Sequence, residues 1–263
     1  MQFIDSHAHI NDPAFDADRS QIIKACFDTG MSHMLEIACE IPEWQQAINL
    51  SLKYKDKIFP VCGIHPMFAQ TLNDDSLKTL ETFLANPLVR GVGEIGLDYF
   101  FLEDCPKNIQ IEACQKLMAL SLKYKKPVVI HCRKSKDPQD FSAYDDFAAI
   151  LKEVRVFGGV EHCFGGRYSD AVTALDNGLL LGVNGTISYK RNNDLRDTIK
   201  KIGLKYLLLE TDCPYLPPQT KRGTRNSPLN IPEIAGVLAE ILGIGAEKAA
   251  DAASENTRKL FNF

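Results

Sequence analysis

No two of the eight cysteines form a C-x-x-C pair; they stand at Cys26, Cys39, Cys62, Cys105, Cys114, Cys132, Cys163 and Cys213. That excludes a zinc ribbon, and a chain of 263 residues can bury a full core without disulfides. The N-terminus lacks a basic stretch followed by a long apolar run, so no signal peptide is read there. No apolar stretch approaches the span of a bilayer, which excludes a membrane-crossing helix. Positive charge is not in excess: the formal net charge is −4, so binding to nucleic acid needs a local basic patch or metal ions. Linkers, low-complexity segments and short-period repeats are missing too. With 45% hydrophobic and 24% charged residues, what remains is a reduced, cytoplasmic protein, expected as one domain over residues 1–263. Nothing in it calls for a membrane or an obligate protein partner.

Short apolar runs alternate with helical patterns from end to end. The predicted strands are 3–8, 33–38, 58–64, 89–95, 127–132, 158–163, 178–184 and 205–211. Several are β-branched or Leu-rich with little alternation, as strands covered on both faces are. Between them, Ile111, Cys114, Leu117, Leu120 and Tyr124 mark one apolar stripe on a helix over 108–126. Pro42 and Pro232 suit first-turn positions of helices over 42–54 and 231–242. Eight strand–helix units predict an α/β fold, a (β/α)8 TIM barrel, with an extra C-terminal helix over 246–261 packing outside it. A doubly wound sheet would place a glycine-rich phosphate loop after its first strand. Here "HAHIND" follows instead, with no glycine.

Histidine is scarce as well. Of His7, His9, His33, His65, His131 and His162, all but His33 fall at or just beyond the C-terminal end of a predicted strand, where a barrel keeps its active site. Strand alternation points His7 and His9 the same way. Glu94 ends strand four, and Glu210 and Asp212 end strand eight. Such carboxylates are costly to bury unless paired or metal-bound. Four imidazoles and two carboxylates exceed one tetrahedral ion but suit two ions about 3.5–4 Å apart. His7, His9 and Asp212 are assigned to one, His131 and His162 to the other, and Glu94 to the bridge. Cys132, Cys163 and Cys213 each follow a site residue and are read as small core residues facing the helix layer.

Together, "FIDSHAHIND", "GIHP", "GEIGLDY", "PVVIHCRKS", "EHCFGG", "LLLETDCPYL" and "RGTRNSPLNIP" resemble the TatD family of metal-dependent deoxyribonucleases, within the amidohydrolase-like superfamily. The resemblance implies a TIM barrel and divalent-metal-dependent, often exonucleolytic, hydrolysis of DNA. It makes His7 and His9 ligands of the first metal, Glu94 the bridge, and His131 and His162 ligands of the second. Asp212 becomes a ligand close to the nucleophilic water, and His65 a neighbour of the substrate phosphate. Amide-hydrolysing relatives often bridge their metals with a carboxylated lysine at the end of strand four; here Glu94 stands there and no lysine is near. The stretch after His131 is longer and more polar than the family pattern, and "RNSP" has serine where many members have glutamate.

On this reading Asp212 and Glu94 carry the catalysis, Asp212 as the group that takes or holds the proton of the attacking water. A basic crescent is expected around the barrel mouth: Arg133, Lys134, Lys136, Arg167, Lys190, Arg191, Lys221, Arg222 and Arg225. Tyr99, in "LDYFF", is expected to stack on unpaired bases, and Phe100 and Phe101 either to stack or to cap the barrel. Zinc, manganese and magnesium all suit the two ions. Two alternatives remain open: the same site acting on another ester, such as an aminoacyl-tRNA ester or a small phosphoester, and a non-catalytic nucleic-acid-binding protein.

Overall fold

The computed structural model describes residues 2–263. Strands and helices alternate as β1 (Phe3–Ala8), α1 (Arg19–Asp28), β2 (Met31–Ala38), α2 (Ile41–Lys53), β3 (Ile58–Cys62), α3 (Asp74–Leu84), β4 (Gly91–Asp98) and α4 (Lys107–Tyr124). They continue as β5 (Val128–Arg133), α5 (Ser142–Glu153), β6 (Gly159–Glu161), α6 (Tyr168–Asp176), β7 (Leu179–Val183), α7 (Asn193–Ile202), β8 (Leu207–Leu209), α8 (Ile231–Leu242) and α9 (Ala246–Phe261). The strands form one parallel sheet in sequence order. This is the expected (β/α)8 barrel, nearly closed. Among the described residues, no single helix is long and apolar enough to cross a membrane.

The seam between the first and last strands is closed beyond β8, by an isolated parallel bridge between Ala8 and Cys213. The Asp212 N–H donates to the His7 carbonyl at 2.8 Å, and the His9 N–H donates to the Cys213 carbonyl at 2.9 Å. Buried Asp5 adds side-chain bonds across the same seam, accepting from the Thr211 N–H at 2.9 Å and the Thr211 hydroxyl at 2.6 Å. The residues that close the barrel therefore lie beside those with metal-ligating chemistry.

Two apolar layers follow from strand alternation. Leu35, Ile37, Phe59, Val61, Val129, Val160 and Leu208 fill the barrel interior with Phe261. A larger layer lies between strands and helices, where Cys132 and Cys213 pack as expected and Cys163 is half-buried. In α4 the buried face carries Cys114, Leu117 and Leu120, with Ile111 and Tyr124 at its margin. Pro42 and Pro232 sit in the first turns of α2 and α8.

The terminal helix α9 packs outside the barrel as expected, with Ala249, Ala250 and Ala253 in the layer between strands and helices, but its last turn does more than cover that layer. Phe261, at the end of α9, enters the interior cluster near the start of β4 and shields the apolar interior there. His33 packs at this same end, 4.9 Å from the Phe263 ring, away from the other histidines as its place at the start of β2 implied. β6 and β8 are also shorter than predicted, three residues each. The chain leaves the ladder there, so His162 and Asp212 stand just past the strands.

Candidate metal centre

Each inward row ends at one point of the site. On β5, Val129 is followed two residues later by His131; on β6, Val160 by His162; on β8, Leu208 by Glu210 and then Asp212. Asp212 adopts a left-handed backbone, φ 58°, which an aspartate tolerates better than most residues. The structure brings together all six residues assigned to the metals.

Glu94 stands at the centre and divides its two oxygens. Oε1 lies 2.6 Å from His131 Nδ1 and 2.7 Å from His162 Nε2. Oε2 lies 3.2 Å from His7 Nε2 and 3.9 Å from His9 Nε2. Asp212 Oδ1 completes the second side, 3.4 Å from His9 Nε2 and 3.7 Å from His7 Nε2. Burial opposes the charge on Glu94. His162, His7 and hydrogen bonds from His131 and His162 outweigh it and hold the carboxyl well below its ordinary range. Asp212 is likewise buried, yet it is held low by the His9 hydrogen bond and the imidazoles around it.

Surrounding hydrogen bonds orient the rings. A carbonyl can only accept, so His9 Nδ1–H donates to the Ile37 carbonyl at 3.1 Å, which turns Nε2 towards the centre. Asp98 Oδ2 lies 3.0 Å from His131 Nε2, which leaves His131 Nδ1 to face Glu94. His65 is built the other way. The Met67 N–H donates to His65 Nδ1 at 3.2 Å, so the neutral ring carries its proton on Nε2. That atom stands 3.7 Å from Glu94 Oε1. Burial and the neighbouring His131 push His65 down to about 3, so the ring is neutral at pH 7. His65 thus offers the centre a donor, not a lone pair.

The donor set fits divalent cations. Near-neighbour groups of His7, His9 and Asp212, and of His7, Glu94 and His162, each place their ligand atoms within 4.8 Å of one another. Among the described residues, neither Glu94 nor Asp212 is ion-paired with a lysine or arginine. Two buried carboxylates ringed by imidazole nitrogens lack a permanent positive partner, a place that a divalent cation would fill.

Two residues of the site escaped the sequence reading. Asp98 lies in the quoted "GEIGLDY", two steps of alternation from Glu94. Cys39 lies two residues past Ile37 on the inward row of β2, with its Sγ 3.6 Å from Glu94 Oε2. The signal in both cases was strand alternation, applied to histidines and carboxylates but not carried to these positions.

The expected substrate contacts need correction. Tyr99 is 3% exposed, and its hydroxyl donates to Asp146 Oδ2 at 2.7 Å, so its ring cannot stack on a base. Tyr99→Phe is expected to leave turnover unchanged. It should cost about 1 kcal/mol of stability, a fall in Tm of about 2–4 °C for a chain of this size. Thermal unfolding beside an activity assay checks both. Arg225 is also committed: it forms a two-pronged ion pair with Asp18, at 2.9 and 2.6 Å, and a bond to the Ala14 carbonyl at 2.5 Å. The crescent is thinner than its sequence suggests, because Arg167 pairs with Asp145 and Asp170, Lys136 with Glu103, and Lys221 with Glu233. Arg133 stays at the site. Its guanidinium lies over the Phe100 ring, 4.2 Å from the centroid, with Nη1 3.8 Å from Asp98 Oδ2.

Known proteins share this architecture along their whole length. A metal-dependent hydrolase of Bacillus subtilis, YabD, uncharacterized by its description, is 30% identical over 261 residues, 98% of each chain. The 3'-5' ssDNA/RNA exonuclease TatD of Erwinia tasmaniensis is 31% identical over 266 residues, covering 98% of this chain and 99% of that one. The crystal structure of YjjV, a TatD homolog from Escherichia coli, superposes with a TM-score of 0.89 at 31% identity, over 99% of this chain and 98% of the other. With the TatD related DNase family matched from residue 4 to residue 262, this chain belongs to that family and is a metal-dependent hydrolase.

Proposed function

We propose that this chain is one catalytic barrel over residues 1–263 that hydrolyses the phosphodiester bonds of DNA, exonucleolytically, with two divalent metal ions. The observation that carries this reading is the division of Glu94. One oxygen serves the His131–His162 side and the other the His7–His9–Asp212 side, at the distances given above. His7, His9 and Asp212 would hold one ion, His131 and His162 the other, and Glu94 would bridge them. When bound, such a pair acidifies a water and neutralises charge on the phosphate oxygens.

The chain's own side chains do the rest. Asp212, held as the anion, accepts or holds the proton of the attacking water. His65 presents Nε2–H towards the phosphate without adding charge. Arg133, half-exposed and backed by Phe100, offers a cation to the phosphate backbone beside Asp98. DNA is favoured by the family description, and exonucleolytic action by the Erwinia relative. The eight unpaired thiols support action in a reducing compartment, the cytoplasm.

The test is chelation followed by titration of zinc, manganese and magnesium. End-labelled single-stranded DNA, duplex DNA, RNA and an aminoacylated tRNA are assayed side by side. The expected result is loss of DNA cleavage on chelation, recovery with metal, and release of mononucleotides from one end. Full activity in the metal-free protein, or turnover confined to the aminoacyl ester, would overturn the reading.

A further inference from the structure

We propose that Cys39 is a thiolate ligand on the His7–His9–Asp212 side of the centre, making that half-site selective for zinc over magnesium and manganese. The proposal rests on the two-metal reading above and goes beyond its six ligands. Three observations carry it. Cys39 Sγ, a nitrogen of His9 and an oxygen of Glu94 all lie within 4.8 Å of one another, as close as the other candidate ligand groups. Cys39 continues the row Leu35, Ile37 on β2, whose two residues line the barrel interior. Just past β2, it thus holds the place that His131 holds on β5 and that His162 holds just past β6.

The third observation is the rigidity of the frame. The Cys39 N–H donates to Glu43 Oε2 at 2.6 Å, and the Cys39 carbonyl accepts from the His65 N–H at 3.0 Å. Backbone pinned on both sides presents Sγ to the centre from a fixed point. The sulfur lies 3.6 Å from Glu94 Oε2, the oxygen that faces His7 and His9. Imidazole and carboxylate accept all three candidate metals, whereas a thiolate favours zinc and is a poor partner for magnesium. One sulfur among nitrogen and oxygen donors therefore decides which ion this half prefers. Of the three cysteines that follow site residues, Cys132 and Cys213 are buried in the layer towards the helices and Cys163 is half-buried.

The experiment is substitution of the metal-stripped full chain with cobalt(II), for the parent and for Cys39→Ser. Equilibrium dialysis reads stoichiometry, and absorption spectra read ligation. The parent is expected to show a sulfur-to-cobalt charge-transfer band in the near ultraviolet that Cys39→Ser lacks. The variant should still bind cobalt, and its zinc affinity should fall by about 10-fold or more relative to manganese. Circular dichroism confirms that it is folded, and Cys39→Ala serves if the serine variant is not. Stoichiometric cobalt binding to the parent without the charge-transfer band would overturn the proposal and leave the two-metal reading standing. Failure of the parent to bind cobalt, zinc or manganese would remove both.

Discussion

Replacing Glu94 with glutamine is expected to lower hydrolytic turnover roughly 10³-fold. The side chain keeps its volume and one oxygen, so the protein should fold. What it loses is the shared charge. Glu94 Oε1 and Oε2 now each face imidazole nitrogens, at 2.6 and 2.7 Å on one side and 3.2 Å on the other. An amide must turn its NH₂ towards one of those sides, where it can donate to a ring nitrogen but cannot ligate a cation. One half of the centre therefore loses its metal, and the other loses half a unit of negative charge. A 10³-fold fall corresponds to about 4 kcal/mol of lost transition-state stabilisation. Glu94→Asp separates charge from reach: it keeps the anion but withdraws it by one methylene, too far to serve both sides. Metal content by mass spectrometry and single-turnover rates check the pair. If Glu94→Gln retained two metals per chain and more than about a tenth of the parent rate, the bridging role would be wrong.

The barrel and the convergence of the six candidate ligands were readable from one regularity. Interior apolar rows that alternate along a strand end in a histidine or carboxylate where the strand opens into the site, as Val129 leads to His131 and Val160 to His162. Sequence order then predicts neighbours, because a parallel barrel lays its strands side by side in that order. The substrate contacts were not readable by the same means. Tyr99, Phe100 and Phe101 form one turn of 3₁₀ helix, in which successive side chains point about a third of a turn apart. Tyr99 turns inward to Asp146, while Phe100 meets Arg133. Nothing in three consecutive aromatic letters says which ring takes which direction. Arg225 was misplaced for another reason: its partner Asp18 is 207 residues away, and no local pattern announces a pairing of that separation. The terminal helix was foreseen but the role of Phe261 was not, because amphipathicity tells which face is buried, not that one ring ends among residues of the barrel interior.

Gly96→Ala is the second large effect, and it falls on stability. Gly96 pairs in register with His131 between β4 and β5, and has φ +141°, a conformation L side chains rarely adopt. A Cβ there would lie 2.0 Å from the His131 carbonyl oxygen, a backbone atom that no rotamer change can move. Relief requires β4 and β5 to separate, and these strands carry Glu94 and His131. The expected cost is about 4 kcal/mol or more, which for a chain of this size lowers Tm by about 10 °C or more. Gly178→Ala is the control. Gly178 also has positive φ, +81°, but a Cβ there meets nothing within 4 Å, so only backbone strain remains. That should cost about 1–2 kcal/mol and leave metal binding intact. Thermal unfolding of both variants, with metal content measured on whatever folds, separates the two contributions. Equal losses would mean that backbone conformation alone sets the cost and that β4 does not press on the His131 carbonyl. A larger loss at Gly96, with metal lost as well, ties this glycine to the spacing of the strands that hold the centre.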